Sequence, residues 1–264
     1  MRGTPRMPSG PEDDAEAWAH IAALQARVKE VADRRLAVGP DDRVLDVGAG
    51  GGGDVLRLAA AVGGACSVVG VDSDPVMVEA ATRRARAQGL EARARFFQGD
   101  AHTLPFADGA FDAVRCERLL VHVADPARVI AEMMRVLRPG GRLVTAETDL
   151  ATMSVDTDVP RSERVVRDVR SRDLRQPFAG RRVYGLCRAA GLRGVEVDVV
   201  TVQVHRLAVW RRMTGWDGAC RRALMAGLLG PEDVAAIDED LRARDRQGVF
   251  FAYGAYLVTS ARRP

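Results

Sequence analysis

Apolar positions along this chain alternate between two spacings. Residues 13–37 place Trp18, Ile21, Leu24, Val28 and Val31 on one helical face. Val44, Leu45 and Val47 form a short strand run interrupted by Asp46, and residues 54–60 open a helix. The run at 67–72, SVVGVD, predicts a second strand, and Asp74-Pro75 predicts a helix start. RFFQGD at 95–100 predicts a third strand and FDAV at 111–114 a fourth. Over 125–137, Val129, Ile130, Met133, Met134 and Leu137 follow helical spacing from an Asp125-Pro126 start. Arg138-Pro139-Gly140-Gly141 ends that helix, and residues 142–146 open a fifth strand. Strands alternating with helices predict an α/β domain with a parallel sheet.

The second half departs from that rhythm. A helix start at Asp158-Val159-Pro160 leads into Arg161, Arg164, Arg167 and Arg170, then Arg172 and Arg175. That spacing describes a solvated helix face or a surface that attracts an anionic group. A helix at 181–191 carries Val183, Leu186 and Ala190 inward, and a strand at 195–204 alternates Val with polar residues. The last strand falls within 250–260. Between them, residues 205–249 carry helical stretches at 206–214, 217–228 and 231–245. A structureless loop of that length is improbable in a compact domain. The segment reads as a helical cap, with Trp210, Met213, Trp216, Met225, Leu228 and Leu229 divided between cap core and substrate wall.

The chemistry concentrates at 44–54, VLDVGAGGGGD. A glycine turn between strand and helix lets backbone approach a ligand, and the helix N-terminus adds free N–H groups and partial positive charge. Gly48-x-Gly50-x-Gly52 alone fits a dinucleotide, an adenosyl cofactor or a plain tight turn. Asp72, about 20 residues on, can accept hydrogen bonds from ribose hydroxyls.

Taken in order, VLDVGAGGGG, VVGVDSD, QGDAHTLPF, FDAV and LRPGGRL resemble the class I S-adenosylmethionine-dependent methyltransferases. The likeness is to the small-molecule branch, which includes ubiquinone/menaquinone C-methyltransferases and natural-product enzymes, and it covers residues 40–148. It implies a Rossmann-like, seven-stranded, mostly parallel sheet with helices on both faces and a helical cap from insertions. A disordered tail at 1–12 would precede a domain at 13–264, with insertions at 150–176 and 205–249. The resemblance implies S-adenosyl-L-methionine as cofactor. Gly48, Ala49 and Gly50 would face its methionine moiety, with Asp46 in the same motif. Asp72 would hold the ribose, Ser73 and Met77 would flank the adenine, and Asp100 and Ala101 would meet the adenine edge. Cys116 and Glu117, just past the fourth strand, would approach the methionine end. His122 lies in a segment resembling the family's Leu-His-His-x-x-Asp-Pro element, with Val121 in place of the first histidine. It is the candidate general base; the other reading is a loop-orienting histidine beside Asp125. The helix at 13–37 either lies over the cofactor cleft, as in related enzymes, or packs on the sheet edge.

Composition narrows the partners. With 39 basic against 36 acidic residues the net charge is only +3. Acidic residues are interspersed and basic ones do not alternate with aromatics, so nucleic acid is not expected as a partner. Lys29 is the single lysine. No apolar run approaches a membrane span, and the N-terminus lacks the apolar stretch of a secretory signal. Cys66, Cys116, Cys187 and Cys220 show no paired spacing, which predicts cytoplasmic thiols rather than disulfides or zinc. The four histidines suggest no metal constellation. The expected reaction is methyl transfer to a small-molecule acceptor in specialised metabolism, at O, N or C, with a homodimer left open. The alternatives are a methyltransferase-like cyclase that binds cofactor without transferring methyl, and a macromolecule methyltransferase.

Overall fold

The computed structural model describes residues 11–63 and 65–264, and only the backbone of 11–18. Residues 1–10 of the expected tail and the side chain of Trp18 lie outside that description. The elements in chain order are α1 (Pro11–Leu36), β1 (Arg43–Val47), α2 (Gly53–Ala61), β2 (Ser67–Asp72), α3 (Pro75–Ala87) and β3 (Ala94–Gln98). Then come β4 (Phe111–Glu117), α4 (Pro126–Val136), β5 (Leu137–Thr148), a 3-10 turn at Leu150–Thr152, β6 (Ser154–Val155) and α5 (Pro160–Ser171). The chain finishes with α6 (Ala179–Ala189), β7 (Arg193–Val204), α7 (Leu207–Thr214), α8 (Trp216–Met225), α9 (Pro231–Arg246) and β8 (Ala252–Arg262).

The chain divides into two compact units. The sheet unit comprises Val28–Ala151, Leu174–Val200 and Ala255–Pro264. Strand order runs β3-β2-β1-β4-β5-β8, with β7 also on β8. β1 to β5 pair in parallel and β8 runs antiparallel to β5. Parallel strands covered on both faces need continuous apolar runs. Val44, Leu45, Val47, Val68, Ala113, Val114 and Leu143 are accordingly buried. On α4, Val129, Ile130, Met133 and Val136 are wholly buried. That stripe contributes ~6–12 kcal/mol of gross apolar burial at about 1.5–3 per side chain. The helix starts where Asp125 accepts the Arg128 N–H at 3.0 Å, with Pro126 in the first turn.

Two strands differ from the sequence expectation. β4 continues three residues past Val114, so Cys116 and Glu117 lie within the strand and not beyond it. β5 begins pairing at Leu137, before the Pro-Gly-Gly turn, which is looped out between the Phe111–Leu137 and Ala113–Arg142 partners. A Cβ on Gly141 would stand 2.8 Å from the Arg138 carbonyl oxygen, so that loop requires glycine there.

The helical unit holds Thr152–Asp173 and Thr201–Gly254, with the N-terminal residues through Arg27. Both expected insertions therefore gather in one unit. The indoles of Trp210 and Trp216 are 2% and 3% exposed with ring centroids 6.2 Å apart, which makes them core; Leu229 is buried too, whereas Met225 is exposed. Arg244 bridges Asp156, Asp158 and Asp240, tying α9 to the segment before α5. β6 pairs with the start of β8 in this unit. This two-residue strand raises the sheet to eight strands where seven were expected.

Candidate functional site

The strand order reverses direction at β1, which β2 flanks on one side and β4 on the other. Ligands in open parallel sheets bind beyond the strand C-termini at such a switch point. The glycine loop emerges there. Gly48, Gly50 and Gly52 have φ of 76°, 51° and 76°, which the loop needs to turn back onto β2. Gly48 and Ala49 donate N–H to the Val71 carbonyl at 2.8 and 2.9 Å. Gly50 donates to Asp72 Oδ2 at 2.7 Å, and Asp74 donates to Oδ1 at 3.0 Å. Each Asp72 oxygen keeps lone-pair capacity for a further donor. A Cβ on Gly50 would meet nothing within 4 Å, so the loop crest faces open space.

A cavity of about 230 Å3 lies at these strand ends. Gly48, Asp72, Ser73, Asp100, Ala101 and His122 line it, together with His102, Leu119 and Arg175. Asp100 Oδ1 accepts from the His102 N–H at 2.9 Å and from its Nδ1 at 2.7 Å. These two hydrogen bonds, backbone first, hold the Asp100 carboxyl below the usual range. His102 Nε2 in turn accepts the Asp125 N–H at 3.3 Å, linking this wall to the cap of α4. His122 sits on the opposite loop. Burial, with Arg118 adding its charge, lowers its pKa below the ordinary imidazole value. A histidine so shifted is neutral at pH 7 and can accept a proton.

Beside β1 and β4 lies a cluster of charges that the cavity lining does not include. Arg115 of β4 is 2% exposed. Its Nη2 donates to Glu117 Oε2 at 2.9 Å; Asp54 and Asp46 stand at 3.5 and 3.7 Å, ion pairs without hydrogen bonds. Lys29 of α1 donates to Asp54 at 2.6 Å and to both oxygens of Glu117 at 3.1 and 3.2 Å. Burial pushes Asp46 up to about 7, with Arg115 opposing and the Asp54 and Glu117 charges adding to the rise. Burial also raises Asp54, but Arg115 and Lys29 outweigh it and bring that carboxyl to about 2.

The structure thus gathers six of the twelve expected site residues in the cavity wall: Gly48, Asp72, Ser73, Asp100, Ala101 and His122. Ala49 and Gly50 lie on the same loop, and Met77 is exposed on the first turn of α3. Asp46 and Glu117 belong to the charge cluster. Cys116 does not face the cavity. It is buried and directs Sγ at Glu147, 3.8 Å away. Lys29, His102, Arg115, Leu119, Glu147 and Arg175 are additions. Two of these carried a sequence signal: Lys29, as the single lysine in a chain that otherwise uses arginine, and Arg175, at the end of the arginine series read as a solvated face or an anion-attracting surface.

A methyltransferase domain model matches residues 44–141. An uncharacterised 37.1 kDa protein in transposon TN4556 of Streptomyces fradiae is 39% identical over 191 residues, 72% of this chain and 54% of that protein. The demethylmenaquinone methyltransferase of Thermus thermophilus is 47% identical over 105 residues, 40% of this chain and 46% of that enzyme. The chain spans about half the length of these curated relatives. Among solved structures, the [4+2]-cyclase SpnF superposes with a TM-score of 0.55 at 28% identity, over 90% of this chain and 81% of that one. The residues fit an adenosyl group, since Asp72 offers acceptor capacity to the cavity and the Gly50 crest is open. With this sheet order and loop geometry, the chain carries a class I S-adenosylmethionine-dependent methyltransferase domain.

Proposed function

We propose that this chain transfers a methyl group from S-adenosylmethionine to a small-molecule acceptor of specialised metabolism. One observation carries the reading: a single cavity brings Asp72 and Asp100 together with His122. Asp72 would hold the ribose hydroxyls, Ser73 and Met77 the adenine faces, and Asp100 and Ala101 the adenine edge. Gly48, Ala49 and Gly50 would pass backbone along the methionine moiety. Asp46 and Glu117 would set the charge at its ammonium end. When bound, the cofactor supplies a methyl group already activated by a sulfonium. The protein's task is then alignment for in-line attack and removal of a proton where the acceptor carries one. His122, neutral at pH 7, is the group in the wall suited to take that proton. Arg175 adds positive charge to the same wall and favours an acceptor with an anionic group.

The resemblance to SpnF supports a second reading, in which the chain binds cofactor and acceptor without methyl transfer. Incubation with methyl-labelled cofactor and a panel of candidate acceptors separates the two. Label in the acceptor, reduced about 10²-fold or more in His122→Ala with cofactor binding intact, is the expected outcome. Turnover within a few-fold of wild type would remove the base and leave alignment alone. Conversion of an acceptor with no label incorporated would favour the second reading.

A further inference from the structure

Three successive amides beyond β4 are caught by two residues of β5. Arg118 donates N–H to the Ala146 carbonyl at 2.9 Å. Leu119 and Leu120 donate to the same oxygen, Glu147 Oε1, at 3.0 and 2.8 Å. His122 then closes the turn by donating N–H to the Leu119 carbonyl at 2.9 Å. Arg118 has a φ of 51°, a left-handed conformation that a residue with a Cβ adopts only when its surroundings impose it. The turn seats Leu119 against the glycine loop, so close that a Cβ on Gly48 would stand 2.8 Å from Leu119 Cδ1. It also presents Leu119 and His122 to the cavity.

Glu147 is 0% exposed. Its Oε2 has no hydrogen-bond partner among the described residues, and neither do Thr145 Oγ1 and Thr259 Oγ1 on the paired strands. No cation lies in hydrogen-bond or ion-pair contact with it among the described residues. A buried carboxyl oxygen left without a partner carries a desolvation cost, as Oε2 does here. The hydrogen bonds it does make all go to the backbone of one turn, apart from the Cys116 thiol.

We propose that Glu147 is a positioning residue for methyl transfer: its Oε1 clamps the Arg118–His122 turn in the geometry that sets Leu119 on the glycine loop and His122 in the cavity. This rests on the reading of the cavity as the site of transfer. Burial pushes the Glu147 carboxyl up to about 7, with the amides of Leu120, Leu119 and Val121 pulling it partly back. The titratable groups around it are Cys116 from β4, Cys187 from α6 behind that thiol, and Arg118 and His122 on the turn itself; the Asp149–Arg181 pair lies beyond the end of β5. Burial holds both thiols protonated near neutrality. A carboxylate accepts amide hydrogen bonds more strongly than a carboxylic acid, so the clamp tightens as pH rises through about 7.

The test compares the full chain as wild type, Glu147→Gln and Glu147→Leu. Amide exchange at Leu119 and Leu120, corrected for intrinsic rates, is followed from pH 5.5 to 8.5, and the His122 imidazole is titrated by NMR. Wild-type protection should rise roughly tenfold or more across neutrality. Glu147→Gln keeps an acceptor oxygen and should stay protected with no such rise. Glu147→Leu should lose the protection, and its His122 should titrate nearer the ordinary value as the imidazole leaves the cavity. Protected amides and a still depressed His122 in Glu147→Leu would overturn the proposal. If that variant does not fold, a wild-type pH dependence in Glu147→Gln overturns it equally. None of these readouts requires turnover, so failure of the clamp is distinguishable from failure of the methyl-transfer reading.

Discussion

At the scale of single residues, the site is governed by carboxyls whose burial and neighbours pull in opposite directions. Asp46 and Glu147 are both raised to about 7 by burial. The folded chain therefore keeps protons that the unfolded chain releases above about pH 4–5. The stabilisation they confer is complete below that range and is lost as pH rises to about 7. Asp54 acts in the opposite sense: held at about 2, it stabilises above its ordinary value and loses that contribution as pH falls toward 2. Glu147→Gln should thus show a shallower fall in Tm between pH 5 and 7.5 than wild type, and an equal slope would remove Glu147 from the account. Lys29 and Arg115 together make the Asp54–Glu117 pair tolerable, and Lys29 is the one that donates hydrogen bonds to both. Lys29→Met should cost ~1–3 kcal/mol of stability by denaturant titration, because two half-buried carboxylates lose their shared donor. The sequence showed the glycines, Asp72, Asp100 and His122, since each sits in a local pattern with a chemical reason. It did not show Lys29 meeting Glu117 across 88 residues, or Glu147 reaching back 28 residues to the Leu119 amide. Such pairings depend on sheet order and helix placement, which spacing along the chain does not encode.

At the scale of elements, periodicity located strands and helices well wherever apolar residues carried the pattern. β2 matches the 67–72 run because Val68, Val71 and the closing Asp72 form an uninterrupted strand signal. The sequence pattern ends β4 at Val114 because Arg115 and Glu117 are charged. The strand continues through them because Asp46, Asp54 and Lys29 neutralise both in place. β6 leaves no signal in the sequence, since two residues make no period. Two substitutions test the packing. Met133→Ala, at a wholly buried position on α4, should cost about 2–5 kcal/mol by denaturant titration. In Gly52→Ala, a Cβ would fall 2.6 Å from Phe96 and 2.8 Å from Ala81, on a backbone at φ 76°. That variant should lose cofactor affinity and stability together, because the loop must shift to admit the methyl. A Gly52→Ala protein with wild-type Tm and affinity would show that the loop is looser than its contacts imply.

At the scale of the whole molecule, the chain comprises a sheet unit that carries the methyltransferase domain and a helical unit drawn from stretches far apart in sequence. Among the described residues, no helix is long and apolar enough to cross a membrane. The central claim is that an adenosyl cofactor binds at the strand ends with Asp72 on its ribose. Calorimetric titration of the full chain with S-adenosylhomocysteine, as wild type and Asp72→Ala, tests it most directly. The account predicts binding by the wild type, no binding of nicotinamide dinucleotides, and a loss of roughly 2–4 kcal/mol of affinity in the variant as two hydrogen bonds to a charged acceptor disappear. Equal affinity in the two proteins would contradict it.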